Sequence, residues 1–427
     1  MEQLFDFIAS SPTAYHAAAH IASLLDGAGY RRLEEGSPWD LERGKGYYVV
    51  RNSSSLIAFR LPSGDSPCES VMAAAAHLDS PALKIKENAV LKGPGAYLRL
   101  SVERYGGMIY SSWFDRPLSI AGRVLVRNGG GVRTVLVDLA EPCALIPHVA
   151  IHMNRSVNDG YSYNPAVDLL PVWSLGGGEE SLKEKVAEKA GCAPSDILAS
   201  DLFLYNPARG YAWNGLISAP RLDDLECAYS VLEGFLSAKE SRALPVALFY
   251  DNEEVGSTTK QGAASPFFAD VLSRIAESLD FDPRTALASG LMLSCDNAHG
   301  VHPNHPEYAD KNHTVTLNGG IVIKYNANQK YTSDAVSAAL FRLICEEADV
   351  PVQIYTNRAD IAGGSTLGNI SNTQVALNTV DIGLAQLAMH SAFETAGEND
   401  TEFMVRAITR FFEKELRASG NGSYAFA

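Results

Sequence analysis

Apolar runs recur along the chain, and several of them lead directly into a charged or metal-binding residue. Residues 70–76 (SVMAAAA) stop at His77, and residues 244–250 (LPVALFY) stop at Asp251-Asn252-Glu253-Glu254. Residues 290–295 stop at Asp296, residues 320–325 carry Lys324 near their end, and residues 375–382 lead on to His390. Short runs without polar interruption predict strands buried on both faces, the pattern of a mostly parallel sheet. Ligands of such sheets gather beyond the carboxyl ends of the strands. A helical period follows Ser11-Pro12-Thr13, with Ala17, Ala18, Ile21, Leu24 and Leu25 on one face before Gly27 and Gly29. A second opens at Asp223-Asp224 and places Leu225, Ala228, Val231, Leu232, Phe235 and Leu236 on its apolar face. Residues 46–50 and 56–61 predict a β-hairpin, residues 350–355 another strand, and 363–366 (GGST) a turn into a helix. The last residues, 419–427, are expected to fray.

The pattern changes at about residue 89. Short β-like runs at 98–103, 120–127 and 132–139 alternate with Gly-rich turns, and a charged helix is predicted over 179–190 before an aromatic-rich end at 201–213. The fold class expected is α/β, with a mixed, mostly parallel central sheet sandwiched by helices. Residues 1–88 and 214–427 would form this first domain, and residues 89–213 a mainly β domain inserted into it.

At 427 residues the chain is long enough for one large core and a second domain. Its net charge of −15 argues against a nucleic-acid partner and against an anionic membrane surface, both recognised through basic patches. The amino-terminal stretch lacks a basic segment followed by a long apolar one, so no secretory signal is expected. The six cysteines are scattered without CxxC spacing, which fits reduced thiols and a cytoplasmic protein better than a disulfide framework.

Candidate chemistry starts from the paired carboxylates Glu253 and Glu254. Buried side by side, they would repel and resist ionisation unless a cation or a donor stood opposite. An arbitrary pair of this kind is a solvated turn, and Asp223 taken alone is a helix cap. His77, Asp223, Glu253/Glu254, Asp296 and His390 together have a common explanation as mixed nitrogen and oxygen ligands, the set favoured by zinc and its neighbours. Such a set exceeds one tetrahedral ion but fits two ions roughly 3.5–4 Å apart that share a bridging carboxylate. His16 and His20 have ligand spacing but no accompanying carboxylate, and a packed role is expected for them. His148 and His152 read as packed or rim histidines, and His299, His302 and His305 as residues that support the ligands from behind or pack their loop.

The motifs HLDSP, PRLDD, DNEEVGS, SCDNAHGVHPNH, VIKYNANQKYTSDA and AQLAMHS occur in this order, with SPTAYHA before them and YGGMIYSSWFDRPLSIAGRV in the inserted region. In these motifs the chain resembles the aspartyl aminopeptidases, a family of cytosolic dinuclear metallopeptidases. The resemblance implies a zinc-peptidase-like catalytic domain and an inserted domain that acts as lid and as dimerisation or oligomerisation surface. It implies that Asp223 bridges two divalent ions, with His77 and Asp296 completing one site and Glu254 and His390 the other. Zinc is expected, and manganese or cobalt would suit the same ligands. Asp79 would orient His77, and Glu253 would take a proton from the attacking water and pass it to the leaving amine. Asp224, Asp251 and Asn252 would support the geometry. Lys324 would face the acidic side chain of the substrate, and His152 would reach a neighbouring subunit's active site within a homododecamer. The implied partners are peptides with acidic amino-termini. A broader aminopeptidase, an N-acyl amidohydrolase and a non-catalytic metal-binding assembly protein are the competing expectations.

Overall fold

Two adjacent strands show how the apolar runs build layers. Val71, Ala73 and Ala75 pack into one hydrophobic cluster, whereas Met72, Ala74 and Ala76 pack into another. On the neighbouring strand, Leu244, Val246, Leu248 and Tyr250 join the first cluster, and Ala247 and Phe249 the second. Successive side chains of a strand point to opposite faces, so an unbroken apolar run needs cover on both sides. The computed structural model, which describes residues 1–64, 68–176, 181–279 and 281–427, supplies that cover as helices.

Strands β1 (Arg31–Leu33), β2 (Gly46–Arg51), β3 (Ser55–Arg60) and β4 (Val71–His77) come first. Then follow β5 (Ala82–Lys92), β6 (Tyr97–Tyr105), β7 (Ser119–Asn128), β8 (Gly131–Asp138), β9 (Val172–Leu175) and β10 (Ile197–Tyr205). The chain continues through β11 (Tyr211–Trp213), β12 (Leu216–Ala219), β13 (Leu244–Tyr250), β14 (Leu291–Cys295), β15 (Ala298–His299) and β16 (Ile321–Tyr325). It ends with β17 (Val352–Thr356), β18 (Asn378–Gly383), β19 (Ala385–Leu387), β20 (Glu394–Gly397), β21 (Leu416–Ala418) and β22 (Tyr424–Phe426). The central sheet has the order β1-β2-β3-β13-β4-β14-β18-β16-β17. Its middle pairs, β13–β4, β4–β14 and β14–β18, are parallel, and antiparallel pairs at β2–β3, β3–β13 and β16–β18 make it mixed.

The helices are α1 (Glu2–Ala9), α2 (Ala14–Gly27), α3 (Leu182–Ala190), α4 (Leu222–Ser237), α5 (Phe267–Ser278), α6 (Pro283–Ala288), α7 (Ala335–Glu347), α8 (Leu367–Ser371) and α9 (Asp400–Phe412). α1, α2, α4, α7 and α9 bury their apolar faces against one side of the central sheet, and α5, α6 and α8 against the other. None of the helices among the described residues is long and apolar enough to cross a membrane.

β5 to β10 form a second, wholly antiparallel sheet of order β8-β7-β10-β5-β6-β9, with its own core around Leu100, Leu118, Ile120, Val124 and Leu204. β5 enters this sheet at Ala82, and β11 pairs instead with β12 in a separate five-stranded sheet. On sheet membership we propose that the insertion runs from about residue 82 to 206, a few residues earlier at each end than the expected 89–213. α3 starts from a capping box of Ser181 and Glu184, and positions 179 and 180 of the helix expected there lie outside the described residues.

One expectation fails at the carboxyl terminus. Residues 419–427 do not fray: β22 pairs with β21, and Tyr424 and Phe426 pack against the main core. Two aromatic anchors hold a segment whose intervening residues carry little apolar pattern.

Gly234 of α4 packs tightly against α9. A Cβ at this position would stand 2.6 Å from Ile408 Cγ2 and 3.1 Å from the Thr409 amide nitrogen. Alanine is the better helix former by about 1 kcal/mol, but overpacking a tight contact costs about 1–3 kcal/mol. Gly234→Ala is therefore expected to lower the urea midpoint in spite of its helix propensity. An unchanged or raised midpoint would mean that α9 yields freely.

Candidate metal centre

The parallel register brings the chemistry together. His77 is the last residue of β4 and lies beside Tyr250 of β13, so the residues following Tyr250 emerge next to it. Asn252 adopts a left-handed conformation (φ 67°), as does Gly256 (φ 97°), and residues 253–255 close into one 3-10 turn between them. That tight turn aims both glutamates at the sheet end. Asp296 follows β14, with its amide donating to the Ile382 carbonyl at 3.0 Å. Asp223 and Asp224 sit in the first turn of α4 but have non-helical backbone, and Arg221 occupies the cap position. Asp223 is thus not the helix cap that its position in the sequence allowed. His390 lies in a turn after β19, again with left-handed backbone (φ 67°).

Asp223 faces two imidazoles with its two oxygens. Oδ1 is 3.3 Å from His77 Nε2, and Oδ2 is 3.5 Å from His390 Nε2. Glu254 Oε1 lies 3.4 Å from His390 Nε2, and Glu253 Oε2 lies 4.0 Å from His77 Nε2. Potential ligand atoms of His77, Asp223, Asp224 and Asp296 all fall within 4.8 Å of one another, as do those of Asp223, Glu254 and His390 and those of His77, Glu253 and Glu254. Asp224, expected only to support geometry, shares the first of these groups, and its Oδ2 accepts from the His77 amide at 3.2 Å.

Three buried carboxylate oxygens here, on Asp223 (Oδ1), Asp224 (Oδ1) and Glu254 (Oε1), have no hydrogen-bond donor. An orphaned polar atom is costly to bury, and a charged one more so. Burial accordingly pushes Glu254 and Asp224 well above the ordinary carboxylate range. Burial raises Glu253 to about 8, with His77 opposing the rise and Asp296 adding to it. Burial would also raise Asp223, but His390 and His77, one beside each of its oxygens, hold it well below the usual value. Burial disfavours charge on the imidazoles too. Even so, Asp223 and Asp224 hold His77 well above its ordinary value, and Asp223 and Glu254 bring His390 up to about 10. A divalent cation placed among these atoms would replace both imidazole protons and give each orphaned oxygen a partner. The donor set is the nitrogen and oxygen mixture that zinc accepts.

Asp79 sits behind this layer as a hub. Its carbonyl lies 2.9 Å from His77 Nδ1, Oδ1 accepts the Glu253 amide, and Oδ2 accepts the Glu254 amide, both at 3.1 Å. Lys324 is buried at 2% exposure instead of reaching for solvent. Its Nζ donates to the Asp296 carbonyl at 2.6 Å and to the Asn297 carbonyl at 3.3 Å, and Asp296 Oδ1 is 3.8 Å away. His152 is not brought to this cluster. It lies exposed on the inserted domain, flanked by the exposed Ile151 and Met153.

Four other histidines have partners outside the cluster. His148 stacks on Phe114 and binds Asp115, His16 meets Thr13 Oγ1, His20 tilts against Phe7, and His305 pairs with Glu307. Two further residues belong to the site although no role was expected of them; Tyr105 opens the YGGMIYSSWFDRPLSIAGRV motif, and Glu394 lies outside the motifs. Glu394 accepts the amides of His390 (2.7 Å) and Asp223 (3.0 Å), and Tyr105 of the inserted domain donates to Asp79. Glu394 stands four residues after His390, a proximity that could have flagged it.

Paired imidazoles and carboxylates at the carboxyl ends of parallel strands form a candidate metal centre of the kind that metal-dependent hydrolases use. The chain belongs to the aminopeptidase I zinc metalloprotease (M18) family, whose model matches residues 7–412. A probable M18 family aminopeptidase 2 of Clostridium novyi is 40% identical over 422 residues, 96% of this chain and 98% of that protein. Among solved structures, Ape4 in the cryo-EM structure of the Ape4 and Nbr1 complex superposes with a TM-score of 0.93 at 32% identity, covering 96% of this chain and 85% of that one. The S. cerevisiae mApe1 dodecamer gives 0.85 at 29% identity, with 96% of each chain covered. The motif-based expectation of family and fold is met, and the activity class is that of a metal-dependent aminopeptidase.

Asp223→Ala is expected to lower bound divalent metal below half of the wild-type content per chain, because its oxygens face both imidazoles. Elemental analysis of the purified chain reads this directly; full retention would remove Asp223 from the ligand set.

Proposed function

We propose that this aminopeptidase removes acidic residues from peptide amino-termini at a two-metal site in which Asp223 is the bridge and Glu253 the proton carrier. The observation that carries the reading is the division of Asp223 between His77 and His390, one oxygen to each, with Asp296 beside the first and Glu254 beside the second. When bound, two divalent ions would activate the attacking water and polarise the scissile carbonyl.

The chain's own residues do the rest. Asp79 holds the backbone of the glutamate turn, so the two carboxylates differ in placement although they are neighbours in sequence. Glu254 points to His390, whereas Glu253 stands on the His77 side at a longer distance. Glu253 Oε2 is then placed to take the proton of the water and deliver it to the departing amine nitrogen. The Lys324 ammonium, held by two carbonyls, keeps one N–H for the carboxylate of an acidic side chain, acting as a point charge. The same commitment of Lys324 to Asp296 favours a second reading, a broader aminopeptidase in which the lysine only braces the ligand loop.

His152 we assign to the active site of a neighbouring copy in a homo-oligomer. Its exposure among apolar residues and the dodecameric mApe1 relative support this.

Glu253→Gln is expected to keep its metal and lower kcat by at least about 100-fold, the usual loss for a general base; unchanged turnover on a peptide substrate would refute the assignment. Lys324→Ala should reduce kcat/KM for Asp and Glu substrates at least about tenfold more than for Leu and Ala substrates, equivalent to ~1.4 kcal/mol of selective interaction. Equal losses on all four would favour the broader enzyme. For His152, the check is complementation: His152→Ala and Glu253→Gln subunits, each weakly active alone, should regain turnover when co-assembled. Mixtures no more active than the sum of their parts would exclude a role across subunits.

A further inference from the structure

Three consecutive residues of the inserted domain touch the catalytic layer. Tyr105, at the end of β6, donates its hydroxyl hydrogen to Asp79 Oδ2 at 2.7 Å and accepts one from Asn252 Nδ2 at 2.8 Å. Gly106 (φ 74°) lies so close that a Cβ there would stand 3.1 Å from Glu254 Cβ and 3.4 Å from Pro81 Cα. Gly107 offers its carbonyl to His390 Nδ1 at 2.7 Å.

The first of these contacts acts furthest. Asp79 receives the Glu253 amide on one oxygen and the Glu254 amide on the other. It can hold both only while its carboxylate plane stays fixed, because rotation about Cβ–Cγ would misalign one amide with each turn. The Tyr105 hydroxyl on Oδ2 opposes that rotation. Tyr105 is itself held: its ring meets Phe203 of β10 edge-on at 5.5 Å, which ties it to the core of the inserted sheet. Asn252, the left-handed residue that starts the glutamate turn, is bound by the same hydroxyl, while its Oδ1 accepts from Thr259 and Gln261. One oxygen atom therefore meets both supports of the turn.

We infer that Tyr105 is a positioning residue for peptide hydrolysis, fixing Glu253 through Asp79 and Asn252, so that the seating of the inserted domain sets the placement of the proton carrier. The inference rests on the reading of Glu253 as that carrier. The hydrogen bonds of the Tyr105 hydroxyl go to Asp79 and Asn252, not to His77, Asp223, Glu254, Asp296 or His390. Loss of its hydroxyl leaves Asp79 with two amides and Asn252 Nδ2 with Asp251 Oδ1 at 3.2 Å, so the fold persists while the turn gains freedom.

The test is Tyr105→Phe in the full chain with divalent metal restored. General-base catalysis is worth about 100- to 10,000-fold, so partial loss of its placement should lower activity about 10–100-fold. The loss should fall on kcat, with KM within about twofold and with metal content and melting temperature near wild type, as for a group that acts on the reacting geometry. In a Glu253→Gln background, Tyr105→Phe should cost no further kcat, since residues acting through one another are non-additive. Wild-type kcat in the single variant would overturn the inference. So would a loss explained by missing metal or a lower melting temperature, or a full multiplicative loss in the double variant. Should Glu253→Gln alone retain turnover, the reading of the base falls; should it lose turnover while Tyr105→Phe does not, only the role of Tyr105 falls.

Discussion

Carboxylates repel one another most where water is scarce, and this chain buries Asp79, Asp223, Asp224, Asp251, Asp296 and Glu394 at one end of its central sheet. The surrounding structure answers that charge in two ways. The outer carboxylates receive backbone N–H groups: Asp79 from Glu253 and Glu254, Glu394 from His390 and Asp223. The inner ones, Asp223, Asp224 and Glu254, keep oxygens with no donor. Backbone N–H groups thus hold the frame, and the oxygens without a donor are ones that a cation could partner. Lys324 stands between the two sets, a buried positive charge tied to the Asp296 carbonyl.

The sheet makes this concentration of charge mechanically tolerable. β13, β4 and β14 are adjacent and parallel, buried along their whole length, and packed against helices on both faces. Side chains at their ends inherit the rigidity of a core in which rotation or slippage would break many contacts at once. Asp223 and His390 come from a helix start and a loop, and Glu394 binds the backbone of both.

What was legible in the sequence follows from this arrangement. His77, Glu253, Glu254 and Asp296 each end an apolar run, so position along a strand exposed them. The layers were legible too, because unbroken runs such as residues 70–76 need two covered faces. Asp223 was ambiguous, since an acidic residue at a helix start serves equally well as a cap, and only its distorted backbone tells the two apart. Tyr105 stood at the head of a motif, but its role was not legible: its hydroxyl meets Asn252 across 147 positions of sequence, and no local period reports such a contact. β5 blurred the edge of the insertion because its alternating lysines and apolar residues run across the border without a break. The final hairpin was hidden for the opposite reason, with only Tyr424 and Phe426 to announce it.

The two backbone carbonyls behind the imidazoles carry a consequence of their own. His77 Nδ1 lies 2.9 Å from the carbonyl of Asp79, and His390 Nδ1 lies 2.7 Å from that of Gly107. A carbonyl can only accept, so each ring must carry hydrogen on Nδ1, and a neutral ring turns the Nε2 lone pair inward. Joined at His77 by Asp79 Oδ1 at 3.4 Å, the two main-chain oxygens thus set the tautomer. One of these oxygens belongs to the inserted domain and the other to the catalytic layer. A shift of the insertion would free His390 to change tautomer while His77 kept its own, making one imidazole a reporter of how the two domains are docked.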